Sequence, residues 1–179
     1  MLRLVMTDLR RKAAWCYEEE HARAVLKVLL TDGTLAMIIY RAMQWSRRWR
    51  LVPFELLFNR LNSICCNCII GRGAEFGPGF VLIHATGVVI NGRVSGGENV
   101  LIEHQVTIGA ERRQSPRIGN DVFIGAGAKV IGEITVGDHS RIGANAVVLD
   151  DVPAYATVAG IPARVVRQRS HGDLTEVAR

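Results

Sequence analysis

The chain has no apolar run near the roughly 20 residues that a membrane-spanning helix needs; Leu35–Tyr40, the most suggestive stretch, has six. A signal peptide's apolar segment is missing as well. Arg3, Asp8, Arg10, Arg11 and Lys12 fill the N-terminus, so export is not expected. Cysteine is scarce, with Cys16, Cys65, Cys66 and Cys68 in 179 residues. That is no disulfide framework for a chain of this length, and three cysteines within four positions suit small apolar packing in a reducing compartment. No second CxxC or CxH group joins Cys65, Cys66 and Cys68 to complete a zinc site, so no metal is expected. No basic stripe runs the length of the chain and no base-stacking sheet motif occurs, which argues against nucleic acid. These absences together predict a cytoplasmic, globular protein.

What is present divides in two. Residues 1–60 hold 11 basic and 6 acidic side chains, and residues 61–179 hold 11 and 11. The net charge of +5 therefore originates in the first third. Glycine is skewed the other way, with 16 of 18 copies between Gly71 and Gly160. In the first part, Leu2, Val5, Leu9, Ala22, Val25, Leu26 and Leu29 recur at helical spacing. Thr31-Asp32-Gly33-Thr34 breaks the run and offers N-caps for a helix over about 35–49. Pro53 suits the first turn of the next helix, with Phe54, Leu57, Phe58 and Leu61 following. Trp45 and Trp49 lie four apart on one helical face. The expectation is a helix packing its tryptophans inward, with Arg41, Arg47, Arg48 and Arg50 outward. A basic amphipathic surface making peripheral membrane contact is the alternative.

From Ile70 a step of six meets Phe76, Leu82, Val88, Val94, Val100, Val106, Arg112, Ile118, Ile124, Val130, Val136, Ile142, Val148 and Ala154. Thirteen of these fifteen positions are aliphatic or Phe, and six are followed by Gly. Neither 3.6 nor 2.0 gives this period; a hexapeptide β-helix does, with three strands per coil and an eighteen-residue structural repeat. The fold class expected is mainly β, a parallel β-helix with an N-terminal α-helical segment. The segments are 1–65 helical, 66–167 hexapeptide-repeat domain with a loop at 110–117, and 168–179 a polar tail. Arg112–Arg117 reads as a six-residue insertion, and a loop interrupting an otherwise regular solenoid often carries function. The last strand is expected near Val148, with Gly160–Arg164 an irregular exit.

His84-Ala85-Thr86-Gly87-Val88-Val89-Ile90 resembles the active-site segment of the serine O-acetyltransferases. Val106–Gly109, Ile124–Lys129, Ile142–Asn145 and Gly160–Arg164 match that family in order. The shorter forms found in exopolysaccharide pathways are the most similar members. The resemblance implies a left-handed β-helix, an acetyl-CoA-dependent O-acetyltransferase, and a homotrimer with sites between subunits; pairing of two trimers is left open. Moving acetyl from a thioester to a hydroxyl needs a base for the hydroxyl proton and donors for the oxyanion. A histidine near neutrality can take that proton and return it to the thiolate. The resemblance gives this role to His84. His104, counted as one coil up and two residues along, about 8 Å away, is a second candidate; Ile102-Glu103-His104 also resembles a catalytic segment of sugar-nucleotide N-acetyltransferases. His139 reads as solvated, and His21 and His171 fall outside the repeat. Gly109, Ala110, Ala126 and Ala144 match the family's acetyl-CoA-binding positions, and Arg141, Arg164 and Lys129 are the cations expected at its phosphates.

Departures fall on the acceptor side. Ile69 stands where the family has an aspartate fifteen residues before the histidine, and Ile83 where another precedes it. Gly92 replaces an acidic residue. Gln114-Ser115 replaces an Arg-His pair before Pro116, in a loop four residues shorter. The acceptor hydroxyl is expected on serine or on a sugar of a polysaccharide precursor. A catalytically silent trimeric scaffold is the non-enzymatic alternative. A carbonic-anhydrase-type metal lyase lacks its close histidine pair, and the maltose-type sugar acetyltransferases place their histidine where Gly127 stands.

Overall fold

The structure, a computed structural model, describes residues 1–111 and 114–169. Four helices come first: α1 (Leu2–Tyr17), α2 (Ala22–Val28), α3 (Thr34–Arg48) and α4 (Val52–Cys66). Short strands follow, β1 (Ile69–Ile70), β2 (Glu75–Phe76), β3 (Val81–Leu82), β4 (Val89–Ile90), β5 (Ser95–Gly96), β6 (Leu101–Ile102), β7 (Thr107–Gly109) and β8 (Arg117–Ile118). The series continues with β9 (Phe123–Ile124), β10 (Lys129–Ile131), β11 (Thr135–Val136), β12 (Arg141–Ile142), β13 (Val147–Val148), β14 (Ala156–Gly160) and β15 (Ala163–Gln168). They stack as three sheets, β1-β4-β7-β10-β13, β2-β5-β8-β11, and β3-β6-β9-β12-β14-β15. Every pairing is parallel except β14 with β15. The molecule is a parallel β-helix of triangular section, as the six-residue period predicts.

The register corrects the period in detail. Leu82 pairs with Ile102, twenty residues on, and Ile102 pairs with Ile124, twenty-two on. Eighteen is kept where neither excess intervenes, as in Ile90 with Ile108 and Ile124 with Ile142. The corner from Leu82 to Ile90 spends eight residues where six would serve, and the loop from Ile108 to Ile118 spends ten. These excesses of two and four sum to one repeat, so a strict step of six falls back into phase and hides both. Between them it lands on Val88, Val94, Val100 and Val106, which are buried but sit two residues before the true strand positions Ile90, Gly96, Ile102 and Ile108. The loop is thus a four-residue insertion, not six. Part of it folds back: Glu111 bridges Gln114, and Ser115 Oγ donates to Asn91 Oδ1 at 3.2 Å. Arg112 and Arg113 lie outside the described residues.

The end of the solenoid also differs from expectation. Val152 bridges Val136 and Val158 pairs with Ile142, sixteen residues on, which leaves Ala154 exposed. The segment read as an irregular exit is the antiparallel hairpin β14–β15, turning through a cis Ile161–Pro162 bond. Gln168, assigned to the tail, ends β15; residues 170–179 lie outside the described residues.

The helical segment docks on the first coils. Ala36, Met37, Tyr40 and Met43 of α3 share one buried cluster with Ile70, Phe76, Phe80 and Leu82. Trp15 of α1 stacks on Phe123 of the third sheet, with ring centroids 5.2 Å apart. Arg47, Arg48 and Arg50 face outward as expected, but Arg41 and the two tryptophans reverse the expectation. Arg41 is 1% exposed, whereas Trp45 and Trp49 are 43% and 65% exposed. Arg41 turns inward because Asp8 waits there. Its Nε and Nη2 donate to the two Asp8 oxygens at 2.7 and 2.9 Å, and its Nη1 and Nη2 reach the Phe76 and Gly77 carbonyls at 2.8 and 2.6 Å. Trp45 instead walls an open groove of about 700 Å³ against Phe76, Gly77, Ser95 and Gly96.

Candidate active site

His84 stands where the two-residue excess bulges the corner between the third and first sheets. Counting two residues past each paired strand position along that corner gives His84, His104, Ala126 and Ala144 on successive coils. The sequence count set His104 two residues along from His84. The longer first coil instead puts the two in register, with ring centroids 5.8 Å apart, edge to face.

The backbone of this corner is open to a ligand. The amides of Gly125, Gly127, Gly143 and Asn145 donate across coils to Ile142, His104, Val158 and Ala126. Among the described residues, no hydrogen bond is made by the amides between them, at Ala126 and Ala144, nor by those of His84 and His104. One unspent N–H per coil, with only methyl side chains at the two later positions, makes a column that an extended amide-bearing chain can line.

His84 is half-exposed, and its Nδ1 lies 3.2 Å from Asp32 Oδ2. A carboxylate only accepts, so the ring proton belongs on Nδ1 and the lone pair on Nε2, the tautomer a general base needs. His104 Nδ1 lies 3.5 Å from Glu103 Oε2. Asp32 went unrecognised in the sequence because Thr31–Thr34 reads as a helix cap. In the structure Gly33 is the N-cap of α3, without a side-chain cap bond. Asp32 Oδ1 accepts from Gly33 N–H at 2.8 Å, leaving Oδ2 for the histidine.

The other expected binding residues are dispersed. Gly109 and Ala110 lie at the far end of β7, where the loop leaves. Lys129 on β10 donates to the Gln105 carbonyl at 2.6 Å. Arg141 lies over the Phe123 ring at 4.5 Å on the third face, and burial lowers its pKa. Arg164 on β15 pairs with Asp150 at 3.2 Å. His139 is not free in solvent: it stacks on Tyr155 at 4.8 Å. His21 caps α2, accepting from Ala24 N–H, and His171 is outside the described residues. The cysteines are unpaired, and burial pushes the Cys68 thiol up to about 12. Among the described residues no three His, Cys, Asp or Glu side chains cluster as a metal site, and no helix is long and apolar enough to cross a membrane.

Known proteins resemble this chain in sequence and in fold. The profile of the bacterial transferase hexapeptide family, six repeats, matches residues 115–150. A serine acetyltransferase of Synechococcus elongatus is 41% identical over 150 residues, covering 81% of this chain; the chain spans 62% of that protein's length. A serine acetyltransferase of Helicobacter pylori strain J99 is 38% identical over 154 residues, covering 83% of this chain and 90% of its own length. The crystal structure of Brucella abortus serine acetyltransferase in complex with coenzyme A superposes with a TM-score of 0.84 at 32% identity, over 94% of this chain and 68% of that one.

Proposed function

The chain belongs to the serine acetyltransferases of the hexapeptide-repeat transferase family, and from that premise we propose that it transfers acetyl from acetyl-CoA to a hydroxyl, that of L-serine, with His84 as general base. The observation that carries this reading is the corner itself. A histidine whose Nε2 makes no hydrogen bond among the described residues stands at the head of a column of backbone amides that are likewise unspent. Acetyl-CoA supplies the activated thioester. The column holds the pantetheine arm, His84 Nε2 takes the proton as the hydroxyl oxygen attacks the thioester carbon, and the same proton then goes to the departing thiolate. The amides beside His84 and His104 are suited to the oxyanion.

The first sheet presents Ile69 and Val89 outward, 50% and 37% exposed. The second sheet presents Glu75, Ser95, Arg117 and Thr135, and helices cover the third. This supports a homotrimer in which the first face meets a neighbouring copy and closes the groove beside His84.

A second reading, a sugar hydroxyl as acceptor, is favoured by Ile83, Gly92 and Gln114-Ser115, which lack the charges that would hold an amino acid. The test is thiol release from acetyl-CoA with L-serine and a panel of sugars, wild type beside His84→Ala. Release with serine that falls about 10²- to 10⁴-fold in the variant supports the proposal. Release with sugars alone moves the acceptor. No release together with no acetyl-CoA binding leaves a scaffold.

A further inference from the structure

We propose that Asp32, in the turn between α2 and α3, is the positioning residue for His84. On this assignment the carboxylate that orients the base comes from the helical segment and not from the solenoid. The inference deepens the proposed acetyl transfer and rests on His84 being its base. Position 69, where the family that this chain resembles has an aspartate, is Ile69, and Glu103 turns to His104. Among the described residues Asp32 is the carboxylate that meets His84.

The turn is built to hold that carboxylate still. Lys12 of α1 is fully buried, and its Nζ donates to the Leu82 carbonyl at 2.9 Å and to the Asp32 carbonyl. One ammonium thus ties the turn to the strand that leads into His84. Gly33, at φ +80°, lies so close to β3 that a Cβ there would overlap the Leu82 oxygen. Asp32 Oδ1 is spent on Gly33 N–H, which fixes the carboxylate plane and aims Oδ2 at the ring. Thr31 and Thr34 close the turn from behind, both hydroxyls donating to the Val28 carbonyl. A carboxylate fixed by the Gly33 N–H, on a turn that Lys12 and two threonines tie down, and facing a half-exposed imidazole is arranged for orientation.

The ionisable groups around the pair are Lys12 and Cys16 of α1, Cys66 and Cys68 at the end of α4, and His104 and Glu103 on the next coil.

The experiment compares wild type with Asp32→Asn, Asp32→Glu and His84→Ala. It measures thiol release from acetyl-CoA across pH and the ¹⁵N spectrum of the His84 ring, assigned by its disappearance in His84→Ala. Expected for Asp32→Asn are a kcat about 100-fold lower, KM for acetyl-CoA within about threefold, and partial rescue in Asp32→Glu. The wild-type ring should be protonated at Nδ1, and Asp32→Asn should lose that preference. A wild-type ring protonated at Nε2, or an Asp32→Asn rate within threefold of wild type, overturns the assignment. Failure of the base reading looks different: His84→Ala then keeps its rate, while the ring spectrum still decides the pairing. Circular dichroism and thermal melting of Asp32→Asn matching wild type separate positioning from folding.

Discussion

Replacing Arg41 by Met should be the most damaging single change outside the active site, and its cost follows from the groups it strands. The guanidinium makes five hydrogen bonds, two of them to Asp8 and one each to Gln44 and the Phe76 and Gly77 carbonyls. Methionine keeps much of the apolar stem and makes none of them. Among the described residues Asp8 is left, 1% exposed, with the Gly79 and Phe80 amides as partners, at 2.9 and 3.0 Å. Breaking a buried ion pair from one side costs about 3–5 kcal/mol, and each stranded carbonyl adds about 1–3 kcal/mol where water cannot reach it. The full sum is not realised, because the helices can lift from the solenoid and let water in. The loss therefore saturates near the free energy of that undocking, and we expect about 4 kcal/mol.

Urea unfolding followed in parallel by tryptophan fluorescence and far-ultraviolet circular dichroism makes the check. Trp15, Trp45 and Trp49 all belong to the helical segment, so fluorescence reports its release while circular dichroism reports the whole chain. In Arg41→Met the fluorescence transition should move to lower urea and separate from the dichroism transition. Adding Asp8→Asn removes the unpaired charge while keeping an oxygen for the Gly79 and Phe80 amides, and should restore more than about 1 kcal/mol. A loss below about 1 kcal/mol in Arg41→Met, or an Asp8→Asn effect that adds to it, would refute the reasoning.

Gly33→Ala places a methyl against the Leu82 oxygen at a positive φ, and should cost about 2–3 kcal/mol in urea unfolding, with loss of acetyl transfer as Asp32 leaves His84; near-wild-type stability and rate would show that the turn does not need its glycine. Burial lowers the Lys12 pKa to about 8 from 10.5, against the opposing pull of Cys16 and Asp32. Between about pH 8 and 10.5 the unfolded chain therefore holds one proton more than the folded one, and wild type should gain stability over Lys12→Met as pH rises, by at most about 3 kcal/mol. A stability difference that stays flat or falls across that window contradicts it.

The solenoid was legible because each coil repeats the same steric demand, an inward aliphatic and often a glycine where the chain turns. Its irregularities were not, since the extra residues near His84 and in the loop cancel over one period and leave the outer frame undisturbed. The hairpin β14–β15 escaped for a related reason: Val152 and Val158 keep the inward pattern after a shortened corner, off the six-step. His84 was found through the residues flanking it. Asp32 lies 52 positions earlier and reaches the ring only because Lys12 and Gly33 dock its turn on β3. Such a pairing is a product of packing between segments, and no local spacing encodes it. Arg41 teaches the same about charge. Whether an arginine faces in or out depends on a partner such as Asp8, which the periodicity of its own helix does not contain.

The corner bearing His84, His104, Ala126 and Ala144 works as a ruler. Each coil advances by one strand spacing, about 4.8 Å, so three coils separate the first and last of these by about 14 Å. Length along the groove is thereby quantised. Adding or deleting a whole coil would change the reach between its two ends by one such unit and leave every contact chemistry intact. Extra residues at a corner cannot alter that measure; they only resculpt the wall beside it. A protein of this design can tune what it accepts at one end without recalibrating how far away the other end is held.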